Sequence, residues 1–338
     1  MNDAADPATL TVLAGLIAFA FAALGTRVVL DWLRDRQILD HPNQRSSHSL
    51  PVPRGGGLAV TPAVTLVWIG LASVTGAIGP LALALGALGL MALSWLDDRA
   101  GLPPLPRFTA QAVLVGAGLA LLDPAALVFQ GALPLWADRL LAGLGWLWFL
   151  NLYNFMDGID GITGSETACL GAGIIVVAIL AGLGAGMMPF AAALAAAGLG
   201  FLLWNWPPAK LFLGDCGSIP LGFLLGGLLI GLAIEGQLVA ALILPGVYLA
   251  DATITLIWRL IDGEKVWQPH RRHFYQRAVR GGRSHRAVVL AIIATNLLLI
   301  GWAGLAATGA PLPAGLGAAA SVAGLLALLT RWSNGVRR

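Results

Sequence analysis

Residues 217–234 read GSIPLGFLLGGLLIGLAI, a run without a charge that begins two positions after Asp215. About 20 apolar residues, and as few as about 17, cross the hydrocarbon of a bilayer as a helix. Further runs of this kind flank it at 8–30, 57–76, 80–96, 109–122, 140–156, 164–183, 187–204, 238–260, 287–307 and 312–330. The expected fold is all-α: a polytopic bundle of about eleven transmembrane helices forming one membrane-embedded domain over 1–338.

Composition agrees. The chain is 58% hydrophobic and 11% charged, against about 25% charged for a soluble domain, too little charge to clothe a water-facing surface. Its 44 glycines suit helices that approach closely in a membrane. Cys169 and Cys216 lie far apart and suggest no disulfide framework. Met1 to Leu10 carry Asp3 and Asp6 and no basic residue, so the first run is expected to stay as a helix instead of being cleaved as a signal peptide. No internal repeat, low-complexity tail or soluble domain is visible.

Basic residues orient the bundle. With the N-terminus outside, the inner connections hold Arg34, Arg36, Arg45, Arg54, Arg99, Arg107, Lys210, Lys265, the arginines of 271–286, and Arg331, Arg337 and Arg338. The outer ones hold only Arg139, while Arg27 and Arg259 sit near inner helix ends. The outer loops 73–80, 181–187, 234–237 and 307–313 are short and nearly featureless. Chemistry is therefore expected on the inner, cytosolic face.

Acidic clusters stand there at the ends of four runs: Asp97-Asp98, then Asn151, Asn154, Asp157 and Asp160 in NLYNFMDGIDG, then Asp215 in LFLGDCGS, then Asp251 in LPGVYLADAT. A carboxylate near the membrane core costs on the order of 3 kcal/mol. One such residue is plausibly a helix cap or an arginine partner, but several converging on one face suggest a site. Beside Arg, Lys and His, they point to a metal and a phosphorylated substrate, because Mg²⁺ takes one or two carboxylates plus phosphate oxygens and water.

The basic counterpart is the loop from Asp262 to Arg286, with seven basic residues against Asp262 and Glu264 and a local charge of +5, compared with +3 for the whole chain. Attraction to anionic lipid explains part of this excess. It leaves His270-Arg271-Arg272-His273 and the later His285 unexplained. Zinc is disfavoured there because intervening arginines repel a cation and no thiolate is near; phosphate binding suits the pattern better. Arg54-Gly55-Gly56-Gly57 reads either as a nest of backbone N–H groups for phosphate or as a flexible helix start. Gly214-Asp215-Cys216-Gly217-Ser218 opens a span, where N–H groups and the helix dipole favour an anion beside a metal-bound Asp215.

At these residues the chain resembles the polyprenyl-phosphate N-acetylhexosamine-1-phosphate transferases (glycosyltransferase family 4), from RSSHSLPVPRGGG at 45–57 to the Arg/His loop. The resemblance is closer to members that initiate O-antigen than to the lipid I enzymes. It implies transfer of a sugar-1-phosphate from a UDP-N-acetylhexosamine to undecaprenyl phosphate, with UMP as product and Mg²⁺ (Mn²⁺ as a substitute) as cofactor. By position it implies catalytic roles for Asp97, Asp98, Asp157 and Asp160, and magnesium ligation by Asp215 with help from Asp98. It also implies substrate contacts from Asn154, Asn205, Phe212, Arg107, Lys210, His270, Arg272 and His273, with Asn205 and Phe212 lining a uridine pocket. The implied location is the bacterial inner membrane; membrane lipid is a partner, no nucleic acid is expected, and a homodimer is left open. The family's His-rich run is reduced here to His270 and His273, with Arg271 and Arg272 between. That departure disfavours a muramoyl-pentapeptide donor and favours a smaller UDP-sugar such as UDP-GlcNAc or a deoxy relative.

Elementary chemistry fits this assignment. A phosphate monoester has its second pKa near about 6, so the lipid phosphate needs little help from a base. The obstacle is repulsion between a dianion and a diphosphate, which Mg²⁺ and Arg relieve. Adjacent helix residues point about 100° apart, so Asp97 is expected to face the acceptor phosphate and Asp98 the metal or its waters. Two rivals are phospho-N-acetylmuramoyl-pentapeptide transferase and, from another class, a flippase or transporter. The second would need polar groups through the outer half, which is nearly bare.

Overall fold

The computed structural model describes residues 6–40, 51–265 and 270–335. Asp3, Arg45, the first six residues of the 45–57 motif, Arg337 and Arg338 lie outside the described residues. Helix forms on every apolar run: α1 (Pro7–Asp35), α2 (Gly57–Thr75), α3 (Ile78–Ala100), α4 (Pro104–Ala120), α5 (Leu135–Phe155), α6 (Ile162–Leu180), α7 (Met188–Asn205) and α8 (Asp215–Leu232). They are followed by α9 (Leu238–Ile243), α10 (Gly246–Ile261), the short α11 (Phe274–Arg280), α12 (His285–Ala307) and α13 (Pro311–Ser333). A two-stranded antiparallel hairpin, β1 (Leu39–Asp40) with β2 (Val52–Pro53), joins α1 to α2.

Among the described residues, eight helices are long and apolar enough to cross a membrane by length and composition. The chain is thus a multi-pass helical membrane protein, and three of the eleven expected spans fall short of that standard. α4 has 17 residues, and α5 carries Asp138, Arg139, Asn151 and Asn154 along its length. The run at 238–260 is not one helix: α9 stops at Ile243 and α10 starts at Gly246, with Pro245 between. Proline has no N–H to give the helix ladder and its ring blocks the preceding turn.

Small residues set the packing. Ala14, Ala18 and Ala22 bury one face of α1, which packs along α7, and a Cβ on Gly200 would meet the Phe19 carbonyl. α8 lies between α3 and α5 and is sheathed in protein on nearly all sides. On it, Gly226 makes room for Trp146 of α5; the Trp146 indole stacks on Phe223 at 5.1 Å and donates its N–H to the Phe223 carbonyl at 2.9 Å. α1 turns Leu16, Leu24 and Val28 outward, as expected of a face bathed in lipid. Cys169 and Cys216 are both free thiols.

The end of α3, the α5–α6 and α7–α8 connections and the segment around α11 gather at one end of the bundle, joined by Arg54 between Asp98 and Asp215 and by Tyr275 on Phe155. The 52–57 segment is woven into that end. Phe212 N–H donates to the Pro53 carbonyl, Gly55 and Gly56 N–H donate to the Phe212 carbonyl, and Gly57 N–H donates to the Leu213 carbonyl, at 2.8–3.0 Å. The glycine run therefore serves close backbone approach, not phosphate capture, because its N–H groups are already spent.

A Cβ on Gly57 would land on the backbone of Cys216 and Gly217, whereas one on Gly70 meets nothing. Gly57→Ala is expected to destabilise the protein by about 1–3 kcal/mol or more and to lower its melting temperature in detergent, while Gly70→Ala melts near wild type. Equal melting of the two variants would refute this account of the junction.

Candidate active site

At the gathered end, Arg54 is held out from β2 by the strand-like pairing of its backbone with Phe212. Its guanidinium lies 2.9 Å from Asp98 and 2.8 Å from Asp215. Arg107, near the start of α4, reaches Asp97 at 2.6 Å and Asp215 at 3.4 Å. The 54, 97–107 and 215 segments, distant in sequence, are thus tied into one network of charge. Asp215 occupies the first turn of α8, where the helix dipole favours an anion.

The adjacent aspartates turn to different partners, as their helical spacing predicts. Both oxygens of Asp97 are engaged, one by Arg107 and the other by the Leu102 N–H at 2.7 Å. In this structure it anchors Arg107 and the turn at Leu102, just as both oxygens of Asp215 are engaged by Arg54 and Arg107. Asp98 has one oxygen on Arg54, while its Oδ2 is buried without a hydrogen-bond partner.

The Asp157 carboxylate accepts from the Thr163 hydroxyl at 2.5 Å. Burial pushes its pKa up to about 6, with Thr163 and Arg54 opposing the shift and Asp215 adding to it. Asn154 accepts from the Ser218 hydroxyl at 2.6 Å, joining α5 to α8 beside Asp215. Asn151 turns instead to Gln111 of α4, at 2.9 Å.

Asp160 faces another neighbourhood. Its carboxylate accepts from the Ala209 N–H at 3.0 Å and lies 3.2 Å from His285. Buried Asn205 takes the Gly161 N–H on its oxygen and gives its amide to the Leu211 carbonyl, both at 2.8 Å. It brackets the α5–α6 and α7–α8 connections. Phe212 sits at the same junction through its backbone, and exposed Lys210 lies over the Trp204 ring at 5.5 Å.

The Arg/His loop and Asp251 form a separate group. Asp251 does not join the other carboxylates: it is buried in α10 and takes His273 Nδ1 at 3.0 Å and the Phe274 and Tyr275 N–H groups at 3.0 and 3.2 Å. Arg272 pairs with Asp262 and Glu264, both at 2.6 Å. The pKa of His270 is pushed down to about 4 by burial and by nearby His273 and Arg259, and its Nδ1 accepts the Arg272 N–H at 3.2 Å. Neutral His270 brings no charge to a phosphate.

Among the described residues, no three His, Cys, Asp or Glu side chains stand close enough to cage a metal. A magnesium ion needs no full cage, and its hard character suits Asp98 and Asp215 with substrate oxygens completing the shell. The orphaned Asp98 Oδ2 is the observation that fits it. Reading the sequence missed Arg54 as the cation between the two carboxylates, because the glycines after it drew the interpretation. It also missed Thr163 and the pairing of Asp160 with His285, although the isolated His285 was a usable signal.

Comparison with known proteins agrees with this arrangement. The family described as Glycosyl transferase family 4 matches residues 80–233. The chain is 30% identical over 273 residues to the probable undecaprenyl-phosphate N-acetylglucosaminyl 1-phosphate transferase of Bacillus subtilis, covering 75% of this chain and 73% of that protein. It is 31% identical over 332 residues to the decaprenyl-phosphate N-acetylglucosaminephosphotransferase of Mycolicibacterium smegmatis, covering 86% and 79%. It is 28% identical over 323 residues to the phospho-N-acetylmuramoyl-pentapeptide-transferase of Gloeothece citriformis, covering 87% and 80%. With a network of aspartates and arginines at one end of a membrane bundle, and with relatives matched over most of their length, the chain belongs to glycosyl transferase family 4, in the polyprenyl-phosphate hexosamine-1-phosphate transferase superfamily.

Proposed function

We propose that the chain transfers N-acetylhexosamine-1-phosphate from a UDP-sugar to undecaprenyl phosphate, releasing UMP and initiating a cell-surface polysaccharide such as O-antigen. The observation that carries this reading is the pair Asp98 and Asp215 held on one guanidinium, with Asp98 Oδ2 left unpartnered. UDP-GlcNAc is the favoured donor, because the relatives at 30% identity or more from Bacillus and Mycolicibacterium are named for N-acetylglucosamine.

Arg54 and Arg107 are placed to neutralise the two phosphate groups that must approach each other, and charge neutralisation is most of what phosphoryl transfer requires. Asp98 and Asp215 would hold Mg²⁺, which supplies Lewis-acid stabilisation of the charge that develops on the phosphate oxygens. Asp97 fixes Arg107 from behind. The nucleotide is held near Asp160 and Phe212, where Asn205 shapes the pocket through the backbone it brackets. Lys210, Arg272 and His273 complete the substrate contacts. The site faces the cytoplasm from the inner membrane, as the one-sided distribution of Arg and Lys supports. A cysteine placed at Gly263 should then be labelled by a membrane-impermeant probe only after cells are opened, and labelling from outside would reverse the topology.

Purified protein given undecaprenyl phosphate and Mg²⁺ should release UMP faster from UDP-GlcNAc than from UDP-GalNAc, the 6-deoxy forms or UDP-MurNAc-pentapeptide. Chelation should stop release, and Asp215→Asn should lower it by about 10³-fold. If the pentapeptide donor were fastest, the lipid I reading would replace this one; with no UMP from any donor, the transferase reading falls.

Asp157 gives a test with a defined sign. Its folded-state pKa of about 6 lies above the ordinary 3.8, so the ionised carboxylate costs stability. The cost is complete above about pH 6 and fades as pH falls toward 3.8. Asp157→Asn should raise the melting temperature near neutral pH while lowering UMP release. The stability gap should narrow on acidification; a gap independent of pH would remove the buried charge as its cause.

A further inference from the structure

The Asp251 carboxylate has no part in the network around Arg54, yet it is 1% exposed and surrounded by donors. On Oδ1 it receives the Phe274 N–H at 3.0 Å, the Thr255 hydroxyl at 3.3 Å and His273 Nδ1 at 3.0 Å; on Oδ2 it receives the Tyr275 N–H at 3.2 Å. A backbone N–H can only donate, so both oxygens act as acceptors, and with Asp251 ionised the proton of the His273 bond lies on the ring. The ring is then the Nδ1–H tautomer. Its Nε2 makes no hydrogen bond to any described residue, although the side chain is 2% exposed.

The same contacts set where the ring stands. Asp251 holds the first two N–H groups of α11, which have no partner inside the helix, and so ties α11 to α10. The next link runs to the acidic connection between α5 and α6. The Tyr275 hydroxyl donates to the Phe155 carbonyl at 3.2 Å, and a Cβ on Gly158 would run into that hydroxyl. The His273 ring is stacked with Tyr275 at 5.6 Å between centroids and lies 4.7 Å from His270. A histidine with one nitrogen fixed is thereby linked, through its neighbour Tyr275, to the segment that carries Asp157 and Asp160.

We infer that Asp251 is a positioning residue for the transfer reaction, acting through His273: it fixes the ring as the Nδ1–H tautomer and leaves Nε2 as the atom that meets the substrate phosphates. This rests on the transferase reading above. A carboxylate that orients a histidine and sets its tautomer is a recurrent device where the second nitrogen does chemistry.

The test separates position from mere support. In His273→Asn the amide N–H takes the place of Nδ1–H and keeps the bond to Asp251, but Nε2 is gone. This variant should melt within about 2 °C of wild type while kcat for UMP release falls about 10²-fold. Asp251→Asn should lower kcat with little change in KM for the UDP-sugar, and Asp251→Glu should recover part of the loss. Added to His273→Asn, Asp251→Asn should cost less than about threefold more, since coupled residues are not additive. Near-normal kcat in His273→Asn, or an undiminished Asp251→Asn effect in that background that tracks the melting temperature, would make Asp251 a structural clamp only. Histidine ¹⁵N spectra of the full chain, which has five histidines, test the tautomer without turnover. One ring should show Nδ1–H and lose it in Asp251→Asn; Nε2–H at His273 would overturn the inference. A wild-type protein that shows the expected tautomer but releases no UMP from any UDP-sugar would instead count against the transferase reading.

Discussion

Arg54 lies between Asp98 and Asp215, 2.9 and 2.8 Å away, and the site depends on that cation. Two carboxylates from different helices, both largely withdrawn from water, would repel each other across the bundle end. A guanidinium presents a planar fork of donors and can serve both at once. It reaches them because its own backbone is stitched to the α7–α8 connection at Phe212. The stitching in turn needs a chain without side chains at the crossing, which is the physical reason for glycine at 57 against glycine at 217.

The irregular backbone at this end is nearly all accounted for by partners. Asn205 ties two connections together, Asp251 caps α11, and Asp97 holds the turn at Leu102 as well as Arg107. Such backbone is tolerated at a membrane helix end only where it is buried in protein or faces water. The polar residues therefore fall into two groups. One group gives up its hydrogen-bonding capacity to hold the loops. The smaller group, with Asp98 Oδ2 and His273 Nε2, keeps an atom in reserve, and those are the atoms the proposed transfer would use.

Much of this was legible before any coordinates. Length and hydropathy located helix on every apolar run, although 238–260 read as one span across Pro245, where the structure divides α9 from α10. The aspartate motifs, their order and their common end of the bundle could be read directly. What misled was local context. Gly55 to Gly57 looked like a phosphate nest because backbone N–H groups carry no mark of an existing partner. Asp251 looked like one more converging carboxylate because depth in a span does not reveal which way a side chain turns. Asp97 and Asp98 differ by one position and about 100° of helix, and nothing adjacent to them says which faces Arg54.

The amino-acid sequence by itself determined that this is a membrane bundle with its polar chemistry at one end, because spans are set by local runs of apolar residues about 20 long. It also determined the residue types available for that chemistry. Only the tertiary structure decided which charge meets which. Arg54 and Asp215 are 161 positions apart, and no periodicity or spacing along a chain encodes a contact made by packing α8 between α3 and α5 and folding a glycine-bearing segment across its end.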